Sequence, residues 1–179
     1  MSRIGFITQN RGKVKELQAK AEAYEVTIEH INAAYPELQA DTLEEVALSA
    51  LQFCRSRFSA PFILEDSGLF VEALNGFPGP YSAYAYKTIG INGMQKLAHA
   101  GTSARFESVI GCYYQGTKLF KGTVEGIITR ARGQGGFGFD PIFEHNGRTF
   151  GEMTRKEKNN VSHRSKAAAS FLEWASTVL

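Results

Sequence analysis

Apolar and polar residues recur along the chain with two different periods, and together these periods predict a mixture of helices and strands. Apolar residues at helical spacing predict a helix that Asn10 caps and that runs to about Tyr24, a second helix that opens at Thr42, and a last one that begins at Ser162. Thr42 and Glu45 have the spacing of a capping box at the start of the second helix.

Shorter apolar or alternating segments predict strands. In chain order they cover residues 3–8, 27–31, 62–64, 105–114 and 119–129. The last two form a predicted hairpin through Gly116, a further helix is predicted over 92–100, and the strand at 62–64 runs into a predicted polar turn over 65–68. Because helices and strands mix throughout, the predicted class is α/β with some antiparallel pairing.

Length and composition favour one domain spanning residues 1–179. A chain of 179 residues with 43% apolar residues buries about 70% of its unfolded surface, enough for one core. Cys54 and Cys112 show no paired spacing, so we expect two buried thiols and neither a disulfide framework nor a thiolate zinc site. We also expect a cytoplasmic protein with no membrane partner, since no segment reaches roughly 18 apolar residues and no secretory leader is visible.

Charge is nearly balanced overall but locally positive. The net charge of +2 does not favour nucleic acid as a partner. Between Arg155 and Lys166, however, five Lys or Arg residues stand against one Glu and are interleaved with Asn159, Asn160 and His163. Such a run is often a solvated surface. We favour a binding role because these directional hydrogen-bonding side chains suit the edge of a nucleobase.

A second basic segment lies where the first strand turns into a helix. Arg11, Lys13 and Lys15 occupy the start of that helix, where the helix dipole disfavours cations by a few tenths of a kcal/mol each. A bound anion would reverse this effect, because free N–H groups and ammonium groups both favour phosphate. The alternative is a set of solvated surface cations. Two basic helix starts together fit a ligand with several phosphates.

Acidic residues suggest a metal. Glu37 lies in a loop, and Glu65 and Asp66 follow a buried strand. Since successive strand residues point to opposite faces, at most one of Glu65 and Asp66 faces a given cleft, and we choose Asp66. Carboxylates without clustered His or Cys suit Mg²⁺. The alternative is that Asp66 caps a turn with Ser67 and Gly68.

The segment 133–141 alternates glycine with phenylalanine. It does not join a first strand to a helix, so it is not a dinucleotide-binding fingerprint. Glycines beside Phe137 would let a purine stack on that ring, whereas the alternative is an ordinary turn with a packed Phe. No serine or cysteine has a recognisable base partner, which favours a metal-activated water over covalent catalysis.

With these residues assembled, the chain resembles the inosine triphosphate pyrophosphatase family over almost its whole length. Five segments match in order: FITQNRGKVKE (6–16), YPELQ (35–39), EDSGLFVEALNGFPGPYSA (65–83), GFGFDPIF (136–143) and EMTRKEKNNVSHRSKA (152–167). The resemblance implies an elongated, twisted mixed β-sheet flanked by helices, with two lobes around a central substrate cleft, and a homodimer. It also implies one or more Mg²⁺ ions per subunit and hydrolysis of ITP, dITP and XTP to the monophosphate and pyrophosphate.

The resemblance further implies roles for individual residues. Lys13 is expected to be catalytic, and Asp66 to be both the base for the attacking water and, with Glu37, a Mg²⁺ ligand. The expected substrate-binding residues are Thr8, Gln9, Asn10, Arg11, Gly12, Lys13, Ser67, Phe137, Gly138, Phe139, Asp140, Lys158, His163 and Arg164. Lys158, His163 and Arg164 would read the 6-keto edge of hypoxanthine or xanthine. Adenine would place its 6-amino group, a donor, against a buried donor such as Arg164. The donors would stay unpaired, at a cost of about 1 to 3 kcal/mol.

The sequence departs from the commoner bacterial pattern of the family in its second helix. A lysine is expected there, but Ser49 or Ala50 stands in its place, and Arg55 or Arg57 would replace it if either turned inward. Tyr84 matches archaeal and eukaryotic relatives. No reader of the purine 2-position is evident. Two alternatives stay open: a nucleotide sensor that does not hydrolyse its ligand, and a pyrophosphatase that prefers pyrimidine or modified bases.

Overall fold

The computed structural model describes residues 2–36 and 38–179, which form a mixed β-sheet with helices on both faces. The strands are β1 (Ser2–Ile7), β2 (Val26–Ile31), β3 (Phe62–Val71), β4 (Ser103–Tyr113), β5 (Thr117–Ile128), β6 (Phe143–His145) and β7 (Arg148–Thr149). The helices are α1 (Arg11–Ala21), α2 (Leu43–Cys54), α3 (Ser82–Thr88), α4 (Gly90–Leu97), α5 (Arg155–Val161) and α6 (His163–Val178). The predicted α/β class is confirmed.

The sheet changes character at β3. Its strand order is β2-β1-β3-β4-β5-β6-β7, with parallel pairing among the first three strands and antiparallel pairing beyond. β1 pairs with β3 only at Phe62 and Ile63, whereas β3 pairs with β4 as far as Val71. Among the described residues, the β1-facing edge of β3 therefore has no strand partner from Leu64 to Gly68, and beyond Gly68 the backbone of Leu69 and Val71 bonds to the segment 77–82. A gap beside the carboxyl end of a strand, where the chain order reverses, is where ligands bind in open α/β sheets.

Three apolar clusters build the core on either side of this gap. In the first, Leu17 of α1 and Phe171 of α6 pack on one face of the sheet, and in the second, Leu51 of α2 packs on the opposite face. The third cluster lies at the far ends of β3, β4 and β5 and includes Met94 of α4 and Phe150. The first two clusters, on the two faces of the sheet, form one lobe, and the third cluster forms the other, which gives the two predicted lobes.

Local signals in the sequence located most element ends correctly. Asn10 caps α1, Thr42 and Glu45 form the predicted capping box of α2, and Ser162 caps α6. The predicted hairpin through Gly116 is also confirmed. The same capping-box spacing at Thr154 and Glu157 marks the start of α5, a helix that the sequence prediction missed, as it also missed α3.

Two predictions about element bounds were wrong. The segment 65–68 is not a turn but the middle of β3, because β4 supplies it with continuous backbone partners. α4 begins at Gly90 and ends at Leu97 rather than covering 92–100. Cys54 and Cys112 are buried free thiols, as predicted, and burial raises the pKa of Cys112 to about 12. Among the described residues, no helix has the length and apolar character needed to cross a membrane.

Candidate active site

A cleft of about 480 Å³ opens where β3 continues past the end of β1. Most of the predicted site residues line it: Thr8, Gln9, Asn10, Lys13, Asp66, Ser67, Phe137, Gly138, Phe139, Asp140, Lys158, His163 and Arg164. Arg11 and Gly12 do not line it, and Glu37 lies outside the described residues. The cleft thus gathers residues from both ends of the chain.

Side-chain hydrogen bonds organise the loop between β1 and α1. Asn10 Oδ1 accepts from the backbone N–H of Gly12 at 2.9 Å and of Lys13 at 3.2 Å, and Thr8 Oγ1 accepts from the N–H of Asn10 at 3.1 Å. The Asn10 cap therefore occupies helix N–H groups that were expected to bind phosphate. Arg11 and Gly12 do not line the cleft. Contacts from this loop to a ligand would come instead from the side chains of Thr8, Gln9 and Lys13.

A buried charged network forms the floor of the cleft beside this loop. Lys13 Nζ lies 2.8 Å from Glu65 Oε2, and Arg164 donates to Glu16 Oε2 at 2.6 Å and to Ser67 Oγ at 3.0 Å. Burial alone would raise the pKa of Glu65, but the charges of Arg164 and Lys13 outweigh burial and hold that pKa well below its usual range. The carboxylate therefore stays ionised.

Glu65 and Asp66 both reach the cleft, so the prediction that only one of them would do so was wrong. The strand alternation holds, with Glu65 pointing toward α1 and α6 and Asp66 toward the opposite face. Both touch the cleft because the open edge of β3 itself forms part of the wall. Asp66 is half-buried, and its Oδ1 accepts the backbone N–H of Ser67 at 2.9 Å.

A second buried ion pair organises the far end of the cleft. Lys158 Nζ donates to Asp140 Oδ2 at 2.6 Å, and the same oxygen accepts the backbone N–H of Phe137 at 2.7 Å. Gly136 has a φ of +71°, and a Cβ at that position would lie 2.0 Å from Asp140 Oδ2. Only glycine fits this turn. The turn presents the half-exposed Phe137 ring with the Lys158 ammonium 4.6 Å and the Arg164 guanidinium carbon 5.0 Å from its centroid.

His163 is buried at the same end. Its ring stacks on Phe106 at a centroid distance of 4.6 Å. Burial and then the positive charge of Arg164 lower the pKa of His163 well below its usual value, so the imidazole is neutral. No described residue hydrogen-bonds to its Nδ1. Since buried polar groups are normally satisfied, this nitrogen is suited to a ligand in the cleft.

The structure also shows what sequence reasoning missed. Tyr35, Tyr86 and Phe106 line the cleft but were not among the predicted site residues, although Tyr35 belongs to the matching segment 35–39. Arg57 does not turn inward, because it donates to the carbonyl of Phe53 at 2.8 Å and lies over the Phe53 ring. Arg55 is exposed and also lies off the cleft wall. Neither arginine replaces the missing second-helix lysine.

Among the described residues, no group of three or more His, Cys, Asp or Glu side chains has the arrangement of a metal site. Asp66 supplies one carboxylate at the cleft wall. Protein-bound Mg²⁺ typically takes one or two carboxylates and completes its shell with phosphate oxygens and water, so the donor set fits a magnesium ion that arrives with a phosphate ligand.

Comparisons with known proteins agree on one family. A family model described as "Ham1 family" matches residues 4–174. The chain is 50% identical to a dITP/XTP pyrophosphatase of Thermococcus kodakarensis and 45% identical to one of Pyrococcus horikoshii, and each alignment covers 96% of both chains. The fold matches the structure of the Staphylococcus aureus Ham1 protein with a TM-score of 0.84 and 30% identity, over 98% of this chain and 99% of that one.

Proposed function

The chain belongs to the Ham1 family, and from that membership and the geometry of the cleft we propose that it hydrolyses non-standard purine nucleoside triphosphates to the monophosphate and pyrophosphate. ITP, dITP and XTP are the proposed substrates. The family membership confirms the resemblance first drawn from the five sequence motifs. A homodimeric assembly and a cytoplasmic location remain predictions of the sequence.

One observation carries the proposal: a single cleft joins two chemically different ends. Lys13 and Asp66 lie at one end, where phosphates would bind, and Phe137, Lys158 and His163 lie at the other, where a flat base would stack and be read. The buried ion pair of Lys158 with Asp140 and the neutral His163 offer fixed donors and one unpaired nitrogen to a base edge. A nucleotide spans both kinds of surface.

The charge balance of the cleft supports a role for Mg²⁺. Lys13, Lys158 and Arg164 each have a carboxylate partner, so the described cations of the cleft are already neutralised within the protein. A triphosphate therefore requires further positive charge. Asp66 would hold the ion, and Glu37 is the predicted second ligand. When bound, Mg²⁺ would supply charge stabilisation to the phosphates and polarise them for attack.

The side chains of the cleft have matching roles in the proposed reaction. The Asp66 carboxylate accepts a proton from the water that attacks the α-phosphorus, and pyrophosphate leaves. The Lys13 ammonium stabilises the negative charge that develops on the departing phosphates. At the other end, stacking on Phe137 and hydrogen bonds to the base fix the nucleotide relative to these groups.

The proposal is tested by hydrolysis of ITP, dITP, XTP, ATP, GTP and UTP with Mg²⁺, with pyrophosphate and orthophosphate assayed separately. We expect pyrophosphate from ITP, dITP and XTP and very little from ATP. EDTA should abolish turnover and added Mg²⁺ should restore it. Binding of ITP without turnover would instead identify a sensor, and preferential hydrolysis of UTP would overturn the assignment of the base end.

The assignment of Asp66 has its own test. Asp66→Asn keeps the shape of the side chain but removes the proton acceptor, so kcat for ITP should fall by at least about 100-fold with little change in the melting temperature. Asp41→Asn makes the same chemical change at an exposed position away from the cleft and should leave kcat unchanged. A near wild-type rate for Asp66→Asn would rule out this residue as the base.

A further inference from the structure

Glu65 lies between the two ends of the cleft, and its side chain touches a cation from each. The residue is 2% exposed. Its Oε2 lies 2.8 Å from Lys13 Nζ at the phosphate end, and its Oε1 lies 3.3 Å from Arg164 Nε at the base end. Ser108 Oγ donates to the same Oε1 at 2.6 Å, which anchors the carboxylate to β4. A single rigid side chain therefore contacts both recognition groups.

These contacts restrict how Lys13 can act. Its Nζ also donates to the backbone carbonyl of Glu65 at 3.0 Å. An ammonium group has three donors. The hydrogen bond to the carbonyl uses one of these donors, and the ion pair with the carboxylate holds the ammonium on the same side of the cleft. The position of the ammonium is thereby tied to the backbone of β3.

Arg164 is held in a similar way. One terminal nitrogen of the guanidinium donates to Glu16 and the other to Ser67, while the Nε edge faces Glu65. A guanidinium is planar and presents its donors in a fixed fork, so contacts on three sides define both its position and its plane. Glu65 thus sets the separation between this plane and the Lys13 ammonium.

Stability does not account well for such an arrangement. A buried ion pair usually gains little or nothing over apolar residues of similar volume, because desolvation offsets the Coulomb attraction. Apolar residues in place of Glu65 and its two cations together would avoid that desolvation, whereas an apolar residue in place of Glu65 alone would leave two buried cations unpaired. A carboxylate at this position is explained by what it does to the two cations.

We propose that Glu65 is a positioning residue that fixes Lys13 against the phosphates and Arg164 against the base at a set separation, so that a nucleotide must satisfy both ends at once. The inference rests on the proposed function. It implies that loss of the Glu65 charge lowers both turnover and base preference, although Glu65 itself touches no reacting atom.

Glu16 provides a matched control. Its carboxylate also pairs with Arg164, but its side chain has no ion pair with Lys13 among the described residues. Glu16→Gln and Glu65→Gln therefore each remove one negative partner of Arg164, and only Glu65→Gln removes the partner of Lys13. Glu29→Gln, at an exposed ion pair with Arg3 away from the cleft, controls for the loss of a carboxylate in general.

The experiment measures kcat and KM for ITP and ATP with Mg²⁺ in the wild-type protein and these variants. For Glu65→Gln we expect kcat for ITP to fall by about 30- to 100-fold, since displacing a catalytic group by about 1 Å costs that order. Its preference for ITP over ATP should also fall by about 10-fold. For Glu16→Gln we expect the lower preference but a kcat within about threefold of wild type, and for Glu29→Gln no change.

Wild-type kcat in Glu65→Gln overturns the inference, and so does a Glu65→Gln profile that matches that of Glu16→Gln. If Glu65→Gln does not fold, Glu65→Asp keeps the charge and shortens its reach; it must then lower both kcat and base preference by at least about threefold. If the wild-type protein hydrolyses no ITP, the proposed function fails separately. Dissociation constants for inosine and tripolyphosphate then test the positioning role of Glu65. Glu65→Gln must weaken the binding of both ligands, whereas Glu16→Gln must weaken only the binding of inosine.

Discussion

At the scale of single residues, the cleft depends on charges that are buried and paired. Lys158 and Asp140 have side chains only 4% and 3% exposed and lie 2.6 Å apart. Glu65 and Arg164 are equally buried. Each cation is held by a carboxylate that also bonds to the backbone or to a hydroxyl group, so these side chains have one orientation. The cleft is organised before any ligand binds.

Removing one partner of the Lys158 pair should be costly. Asp140→Ala leaves a buried ammonium without its counter-charge and the Phe137 N–H without its acceptor, so the free energy of unfolding should fall by about 3 to 5 kcal/mol. Asp140→Ala combined with Lys158→Met removes both charges and should recover much of this loss. Urea unfolding measures both, and a double variant no more stable than the single one would contradict the argument.

His163 predicts a dependence of stability on pH. Its pKa is lowered in the folded protein by burial and by nearby Arg164, whereas in the unfolded chain it is about 6.5. Below pH 6.5, His163 therefore binds a proton in the unfolded chain but not in the folded protein. The free energy of unfolding should fall by about 1.4 kcal/mol for each pH unit between 6.5 and 5.

The histidine contribution is isolated by comparison with His163→Asn, which cannot titrate. The charged groups that act on His163, namely Arg164, Glu65, Lys158 and Lys13, are present in both proteins, so only the imidazole differs. The variant should lose the extra slope between pH 6.5 and 5 in chemical denaturation. Equal slopes in the two proteins would show that the pKa of His163 is not lowered in the folded state.

At the scale of elements, the approach of α6 to β5 sets the base end of the cleft. A Cβ added at Gly122 would lie 2.1 Å from the carbonyl oxygen of His163 and 2.4 Å from the backbone nitrogen of Ala167. The first turn of α6 thus rests directly on the backbone of β5. His163 and Arg164 both lie in that turn, so the contact determines where they point.

Gly122→Val tests this contact. The new side chain must push the start of α6 away from the sheet, which should cost about 1 to 3 kcal/mol in the free energy of unfolding. Displacement of His163 and Arg164 should also raise the KM for ITP more than it lowers kcat. Thr123→Val, an isosteric change at the next position of β5, is the control. A Gly122→Val protein with wild-type stability and KM would show that α6 adjusts freely.

At the scale of the whole molecule, the cleft exists because β1 and β3 have different lengths and different partners. Thr8 to Lys13 come from the segment beside the first core cluster, whereas Phe137 to Asp140 come from the segment beside the third. A nucleotide that bridges these segments would contact both lobes. Binding should therefore stabilise the molecule as a unit.

An ITP analogue that resists hydrolysis, α,β-methylene ITP, measures this effect. In the presence of Mg²⁺ and at 100 times its Kd, it should raise the free energy of unfolding by about 2.7 kcal/mol, visible as a higher melting temperature. The corresponding ATP analogue at the same concentration should give a clearly smaller shift. Equal shifts would mean that the base end does not distinguish the two purines.

The sequence predicted features that arise from neighbours along the chain. Asn10, the Thr42–Glu45 capping box, Ser162 and the hairpin through Gly116 were all placed correctly, because capping and hairpin formation depend on side chains a few residues apart. The α/β class followed from the same local periods, and the five motifs identified the family. The capping box at Thr154 was readable in the same way but was overlooked.

Only the tertiary structure decided which charges meet. The segment 65–68 becomes strand because β4, about 40 residues later in the chain, supplies its backbone partners. Lys13, Glu65 and Arg164 are far apart in sequence and form one buried network, and Asn10 takes the helix N–H groups that the sequence assigned to phosphate. Such contacts depend on which strands pair and on how closely a helix approaches the sheet. Both are set by residues far apart in the chain, so local sequence carries no information on them.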